Sequence, residues 1–279
     1  MDTGTTLRGL ARGLHIAASF CSFGTFFLAA TLLRAHKLPF LKPLSWASLA
    51  AALGAGAAWF LLQTAYFASS TNVQDIIAAS PIVAWDTRFG TILLARCAGL
   101  IAATLLFQTN WPRPAAALAA GTVLAQAWMG HGGAMSGPIG TTLLLTSIAH
   151  LAAAATWLGA LPALRLAITR LPPEQAATLA RNFSPIGLLC VATLVATAAI
   201  QYLFLIATPA ALLTTAYGRI ATTKIILLTA LITIAATNRN TTHLPRNINT
   251  EIALGLVTLL AAGLILQLEP PGMAASMGQ

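Results

Sequence analysis

His15-Ile-Ala-Ala-Ser-Phe-Cys-Ser-Phe-Gly24 and His150-Leu-Ala-Ala-Ala-Ala-Thr-Trp157-Leu-Gly159 decide how the whole chain is read. Each places a histidine inside an apolar run, with a glycine nine positions on. A second pair of marks follows in the same order. Thr87-Arg88-Phe89-Gly90 is echoed by Thr215-Ala216-Tyr217-Gly218, and a base lies six positions past each glycine, Arg96 and Lys224. From histidine to threonine the gaps are 72 and 65 residues. The pattern predicts two related halves, 1–138 and 139–279, each bringing one histidine and one base into apolar surroundings.

The surroundings are those of a membrane. The 279 residues are 57% hydrophobic and 8% charged, against about 25% charge in a soluble domain. Apolar runs near 20 residues recur along the chain, the length that crosses a bilayer as a helix. Spans are expected at 8–33, 44–68, 89–109, 114–130, 141–166, 184–207, 217–237 and 248–268. The fold class is therefore all-α, a polytopic bundle of eight transmembrane helices in two parallel four-helix repeats. Helices are required because lipid offers the backbone no hydrogen-bond partner, and the segments lack the alternation of a barrel. Four spans per half is an even number, so both halves insert in one orientation. The expected symmetry is a pseudo-two-fold along the membrane normal, with span 1 on span 5 and span 3 on span 7.

The net charge of +9 reads as a topology signal and not as a nucleic-acid surface. One side of the membrane collects Arg34, Lys37, Lys42, Arg113, Arg165, Arg170, Arg181, Arg239 and Arg246. The other holds Arg8, Arg12, Arg88 and Arg219. By the positive-inside rule both termini face outward. The first apolar segment is too long for a cleaved signal and is expected to stay as a span. Cys21, Cys97 and Cys190 lie in three different spans without paired spacing, which argues against a disulfide framework and for roles as small buried hydrophobes. The outward connection 69–88, with Val73, Ile76, Ile77, Val83 and Trp85, is expected to form a short helix on the membrane surface.

His15 is placed about 10 Å inside the outer end of span 1, and the repeat puts His150 at the same depth. The two imidazoles are expected to converge on one metal or haem centre, since imidazole suits copper, zinc and haem iron. The competing reading is a pair of neutral helix–helix hydrogen-bonding groups. Trp157, two turns below His150 on the same face, would form an apolar floor. Arg96 and Lys224 each cost about 2.5–3.5 kcal/mol at mid-bilayer. They either snorkel outward or bind anionic groups such as haem propionates or lipid phosphates, with Asp86 and Glu269 as candidate partners. Met129, His131 and Met135 surround the turn between spans 4 and 5, and Met273 and Met277 lie in the C-terminal tail; thioethers favour Cu(I). On the inner side Cys190 is the good soft ligand, and His36 and His243 belong to loops. No phosphate loop, zinc-protease or nucleophile-elbow motif occurs, and six acidic residues are too few for a carboxylate relay. No enzyme is expected.

The segments His150–Gly159, Tyr217-Gly218-Arg219 with Lys224, and Asn238-Arg239 resemble the CopD family of bacterial copper-resistance membrane proteins. The resemblance is clearest over 141–246 and looser in the first half. It implies an eight-span inner-membrane protein handling or importing copper at the periplasmic face, and with that membrane the outward termini expected from the charge count are periplasmic. Membrane lipid and a separate CopC-type periplasmic copper protein are the implied partners. A haem b electron carrier with bis-histidine ligation is the alternative from the residues themselves.

Overall fold

The computed structural model of the chain describes residues 1–34, 39–206, 208–237 and 244–272, and the side chains of residues 131, 134, 237 and 244–246 stand outside that description. Three glycines set the closest helix contacts of the bundle: Gly9, Gly13 and Gly24. They lie on α1 (Thr3–Ala30), the most buried long helix of the bundle. Gly9 and Gly13 are four apart, so both present backbone on one face. A Cβ on either would stand 2.8 Å from a backbone Cα of α11 (Leu244–Ile265), at Leu264 and Leu260. Small residues let helix backbones touch in a membrane, where packing replaces the hydrophobic effect as the force between helices. Gly24 meets α7 (Gly137–Arg170) in the same way. A Cβ there would lie 2.1 Å from the carbonyl carbon of Gly159, and one on Gly159 would lie 2.2 Å from the oxygen of Phe20.

The remaining long helices are α2 (Leu41–Phe67), α4 (Arg88–Gln108), α8 (Pro173–Leu205) and α10 (Ala216–Thr237). Seven helices among the described residues are long and apolar enough to cross a membrane. The expected span at 114–130 is not such a helix. It is α5 (Pro112–Leu124), which tightens into a 3-10 helix at Ala125–Met129. The last carbonyls of an α-helix lack intrahelical partners, and here Thr122 O accepts from Arg96 Nε at 2.9 Å. Two other boundaries differ. α1 begins five residues before the expected 8, placing His15 about 18 Å along its helix instead of about 10 Å. α8 begins at Pro173, eleven residues before the expected start of span 6 at 184, and continues through Pro185 as one helix.

Chain direction follows from two sets of hydrogen bonds. Arg12 Nη1 donates to Leu266 O at 3.2 Å and Nη2 to Met129 O at 2.8 Å, so the start of α1, the end of the 3-10 helix and the end of α11 share one end of the bundle. At the opposite end Lys42 Nζ donates to Gln108 O at 2.9 Å, joining the start of α2 to the end of α4. There too Gln108 Nε2 donates to Ser45 Oγ at 2.8 Å, and along the α1–α2 seam Ser22 Oγ donates to Ser48 Oγ at 2.9 Å. These are interhelical bonds of the kind that fix register in a bilayer.

The Thr-x-aromatic-Gly marks have a structural cause. Thr87 and Thr215 each accept from the N–H of the glycine three residues on, Gly90 at 3.0 Å and Gly218 at 2.9 Å. Their hydroxyls donate back to Val83 O and Ala211 O. Each therefore starts a transmembrane helix, α4 or α10, while closing the short helix before it, α3 (Val73–Asp86) or α9 (Ala211–Thr214). The glycine is needed because a Cβ on Gly90 or Gly218 would lie 2.0 Å from those same carbonyl oxygens. Thr87→Ala and Thr215→Ala should each lose about 1 kcal/mol, the usual worth of such a cap; thermal unfolding in detergent reads this as a lowered midpoint for both and for neither Thr91→Ala nor Thr223→Ala. α3 is the surface helix expected at 69–88, with Val83 buried and Val73, Ile77 and Trp85 exposed.

Candidate functional site

α1 carries a polar stripe. Arg8, Arg12, His15, Ser19 and Ser22 follow at spacings of four, three, four and three, which keeps them on one helix face. All five are buried. His15 Nδ1 lies 2.8 Å from Ala52 O on α2. A carbonyl only accepts, so Nδ1 carries the proton and Nε2 keeps a bare lone pair. Nε2 is buried and has no hydrogen-bond partner among the described residues. The ring sits 6.0 Å from the Trp59 ring, which in turn lies 5.0 Å beneath the Arg12 guanidinium. Gly56 leaves room for the imidazole: a Cβ there would lie 3.0 Å from His15 Nδ1 and 3.6 Å from Cys97 Sγ.

Arg96 completes this side. It is 1% exposed, which excludes snorkelling to the headgroups. Its Nε donates to Thr122 O, its Nη1 donates to Gln126 Oε1, and Nη1 lies 3.9 Å from Met129 Sδ. Neither Asp86 nor Glu269 pairs with it; both are exposed. Arg8, expected in the outward charge group, is buried, with Nη2 donating to Thr5 Oγ1 at 3.1 Å and its guanidinium stacked 3.7 Å over Tyr66.

The second half is built differently. His150 Nδ1 lies 2.8 Å from Thr197 Oγ1 on α8, whose hydroxyl donates to Thr193 O at 2.7 Å. The threonine oxygen therefore accepts from Nδ1–H, and His150 has the same tautomer as His15. His150 lines a cavity of about 260 Å³ together with Trp157, Gln126, Tyr217 and Lys224. The spacing of 135 residues from His15 to His150 also relates Arg12 to Ser147, which lines the cavity as well. Where the first half is filled by a guanidinium, the second holds a small side chain and a void.

The expected site residues thus fall into two groups. His15, Arg96 and Met129 sit on the first-half side; His150, Trp157 and Lys224 sit around the cavity. His15 is not among the residues lining that cavity, and each imidazole bonds to the second long helix of its own half. Met129 packs near Ala11, Trp59 and Leu93, whereas Met135 packs with Leu143, Leu205 and Tyr217, so the two thioethers belong to different clusters. His131 begins a four-residue helix, α6 (His131–Ala134), and its side chain lies outside the described residues, as do His36, His243, Asn238, Arg239, Met273 and Met277. Among the described residues no group of three or more His, Cys, Asp or Glu side chains converges as a metal site. Sequence reasoning missed Arg8, Arg12, Trp59, Cys97 and Gln126. For the first two the signal was present, since their spacing continues the His15 face.

An all-helical, multi-pass membrane protein with imidazoles and bases buried among its helices is the class that these features define. The family model for the copper resistance protein D-like N-terminal domain matches residues 3–141, and that for copper resistance protein D matches residues 176–265. The chain belongs to the copper resistance protein D family and is a copper-resistance membrane protein. No curated protein and no solved structure matches it. The first half, where the resemblance had looked looser, has a matching model of its own; His150–Gly159 lies between the two matched ranges.

Proposed function

We propose that the protein receives copper at the periplasmic face of the bacterial inner membrane and binds it at two imidazoles, His150 and His15, one in each half, as a step in copper transport or handling. One observation carries this reading: both His15 and His150 are held by Nδ1–H donation, which leaves Nε2 as the free lone pair of each ring, and that of His15 is buried with no partner among the described residues. A histidine whose other nitrogen donates to a fixed acceptor is oriented as a metal ligand. Copper would enter through the cavity beside His150, which Trp157 walls with an apolar face; Met135, packed with the cavity-lining Leu143, Leu205 and Tyr217, is the soft donor nearest to it, and Met129 on the first-half side and His131 remain further candidate donors. His15 would hold a second ion, with the Cys97 thiol beside it. Arg96 and Lys224 weaken any cation site by like charge, and a monovalent ion suffers half the repulsion of a divalent one. Cu(I) is the form that this environment favours. The haem alternative draws no support from family or geometry.

The transmembrane arrangement that we propose has eight crossings in two parallel repeats, 1–138 and 139–279. α5 spans about 20 Å and the 3-10 segment adds about 10 Å, together the thickness of a hydrocarbon core. Its two ends meet opposite ends of the bundle, and α1 and α7 touch at Gly24 and Gly159, equivalent positions on helices that a two-fold would relate. Both termini are then periplasmic, facing a CopC-type copper donor. A C-terminal alkaline phosphatase fusion should be active; activity of a cytoplasm-only reporter there instead contradicts the topology. Proteoliposomes of the full chain should accumulate ⁶⁴Cu above protein-free vesicles. Bound copper without accumulation assigns binding alone, and neither overturns the copper reading.

A further inference from the structure

Buried polar atoms without a partner are few in a folded protein, and each needs an explanation. Seven occur among the described residues, and six belong to one neighbourhood: Arg8 Nε, Arg12 Nε, His15 Nε2, Trp59 Nε1, Arg96 Nη2 and Gln126 Nε2. Setting aside the histidine, all are N–H donors. Arg12, Trp59, Arg96 and Gln126 are each 5% exposed or less. They are close in space as well as in character. Arg12 and Arg96 both contact Met129, Arg12 stacks on Trp59, and Arg96 bonds Gln126. Two guanidiniums are thus buried side by side with surplus donors and no carboxylate in ion-pair contact among the described residues. Five of the six acidic residues of the chain are exposed. The sixth, Glu251, stands fifteen residues before Leu266, about 20 Å along the axis of α11 from the carbonyl that Arg12 grips.

Leaving this arrangement empty is costly. A buried donor left unsatisfied keeps its full desolvation cost, and an unpaired buried charge costs far more. A ligand that corrects it must bring negative charge and several acceptor oxygens at once. No side-chain carboxylate among the described residues pairs with it, and a neutral water supplies acceptors without charge. Phosphate oxygens supply both, and guanidinium matches them in a fork geometry. We propose that Arg12, Arg96, Trp59 and Gln126 form a buried binding site for a phosphate-class oxyanion in the outer half of the first repeat. The phosphate is either that of an anionic lipid headgroup or a free inorganic ion; the recognising chemistry is the same. Arg8, stacked on Tyr66 nearer the start of α1, lies on the approach to the site. The anion would also cancel the like charge that weakens a copper ion at His15. The site itself stands without the copper reading.

The test uses delipidated full-length protein in neutral detergent. One arm measures [³²P]orthophosphate by equilibrium dialysis. The other incubates the protein with phosphatidylglycerol or phosphatidylcholine vesicles, re-extracts it and counts bound lipid by native mass spectrometry. One oxyanion per chain is expected. Saturable orthophosphate identifies the free ion, and retention of phosphatidylglycerol over phosphatidylcholine identifies the lipid. Trp59→Phe keeps the ring and removes only the indole N–H, and should weaken binding about tenfold. Arg96→Gln should weaken it by about a hundredfold or more. Arg165→Gln, half-buried and bonded to Asn249 away from this cluster, serves as the control and should leave it unchanged. Absence of binding by both probes, or binding that Trp59→Phe and Arg96→Gln leave at the wild-type level, overturns the proposal.

Discussion

Gly24→Leu is expected to remove most of the folded protein from the membrane. Its Cβ would have to occupy a point 2.1 Å from the carbonyl carbon of Gly159 and 2.3 Å from Ala160 N. Neither obstacle is a side chain that can rotate away; both are backbone of α7. α1 and α7 would have to separate, and with them the buried faces of both helices. Overpacking of a well-filled core costs about 1–3 kcal/mol, and more when backbone must move; a loss of about 3 kcal/mol or more is expected here. Gly159→Leu should behave the same way, because its Cβ would meet the backbone of Phe20 at 2.2 Å. Gly54→Leu and Gly121→Leu supply the contrast. Nothing lies within 4 Å of a Cβ at either, and leucine is the better helix former. The reading is monodisperse yield and thermal midpoint in detergent. Equal behaviour of Gly24→Leu and Gly54→Leu would show that α1 and α7 do not meet at these glycines.

Replacing His15 and His150 together with alanine is expected to reduce retained copper to the background of a protein-free sample. Each single change should remove about half. The argument is the shared tautomer. Nδ1 is occupied by Ala52 O in one case and by Thr197 Oγ1 in the other. That fixes each ring and leaves Nε2 as the lone pair offered to an ion. The two sites differ in access. His150 borders the cavity and should load first, whereas His15 is fully buried and should load slowly. Thr197→Val keeps the shape of the side chain but frees the His150 ring to turn, and should weaken copper at that site alone by about 10–100-fold, the usual cost of losing a ligand's outer partner. Full retention by the double variant would leave both rings as helix-packing groups and move the search to Met129, Met135, Cys97 and His131.

Much of the helical architecture was legible, and the reasons are physical. Hydropathy marks a span because the bilayer requires about 20 apolar residues, and seven spans obey that rule. The segment at 114–130 has the composition of a span but not its winding. Its 3-10 end depends on Arg96 and Gln126, contacts 30 residues apart that no local pattern encodes. The duplicated marks were readable, yet they mean different things. Thr87 and Thr215 are caps, and the glycines after them are sites of backbone contact. Arg8 and Arg12 were grouped with outward charges because charge alone sorts loops from spans. The spacing that continues to His15, Ser19 and Ser22 identifies them as one buried face. Convergence of His15 and His150 could not be read from depth. Depth fixes position along the normal, while the direction of each ring is set by its partner on α2 or α8.

Copper K-edge X-ray absorption on the copper-loaded full-length protein is the most direct test of the central claim, that an imidazole of each half holds a copper ion. The account predicts the multiple-scattering signature of histidine, with sulfur from Met or Cys completing the coordination, and a progressive loss of the imidazole signal in His150→Ala and then in the double variant with His15→Ala. A spectrum of oxygen or sulfur ligation alone, unchanged by either substitution, would contradict it.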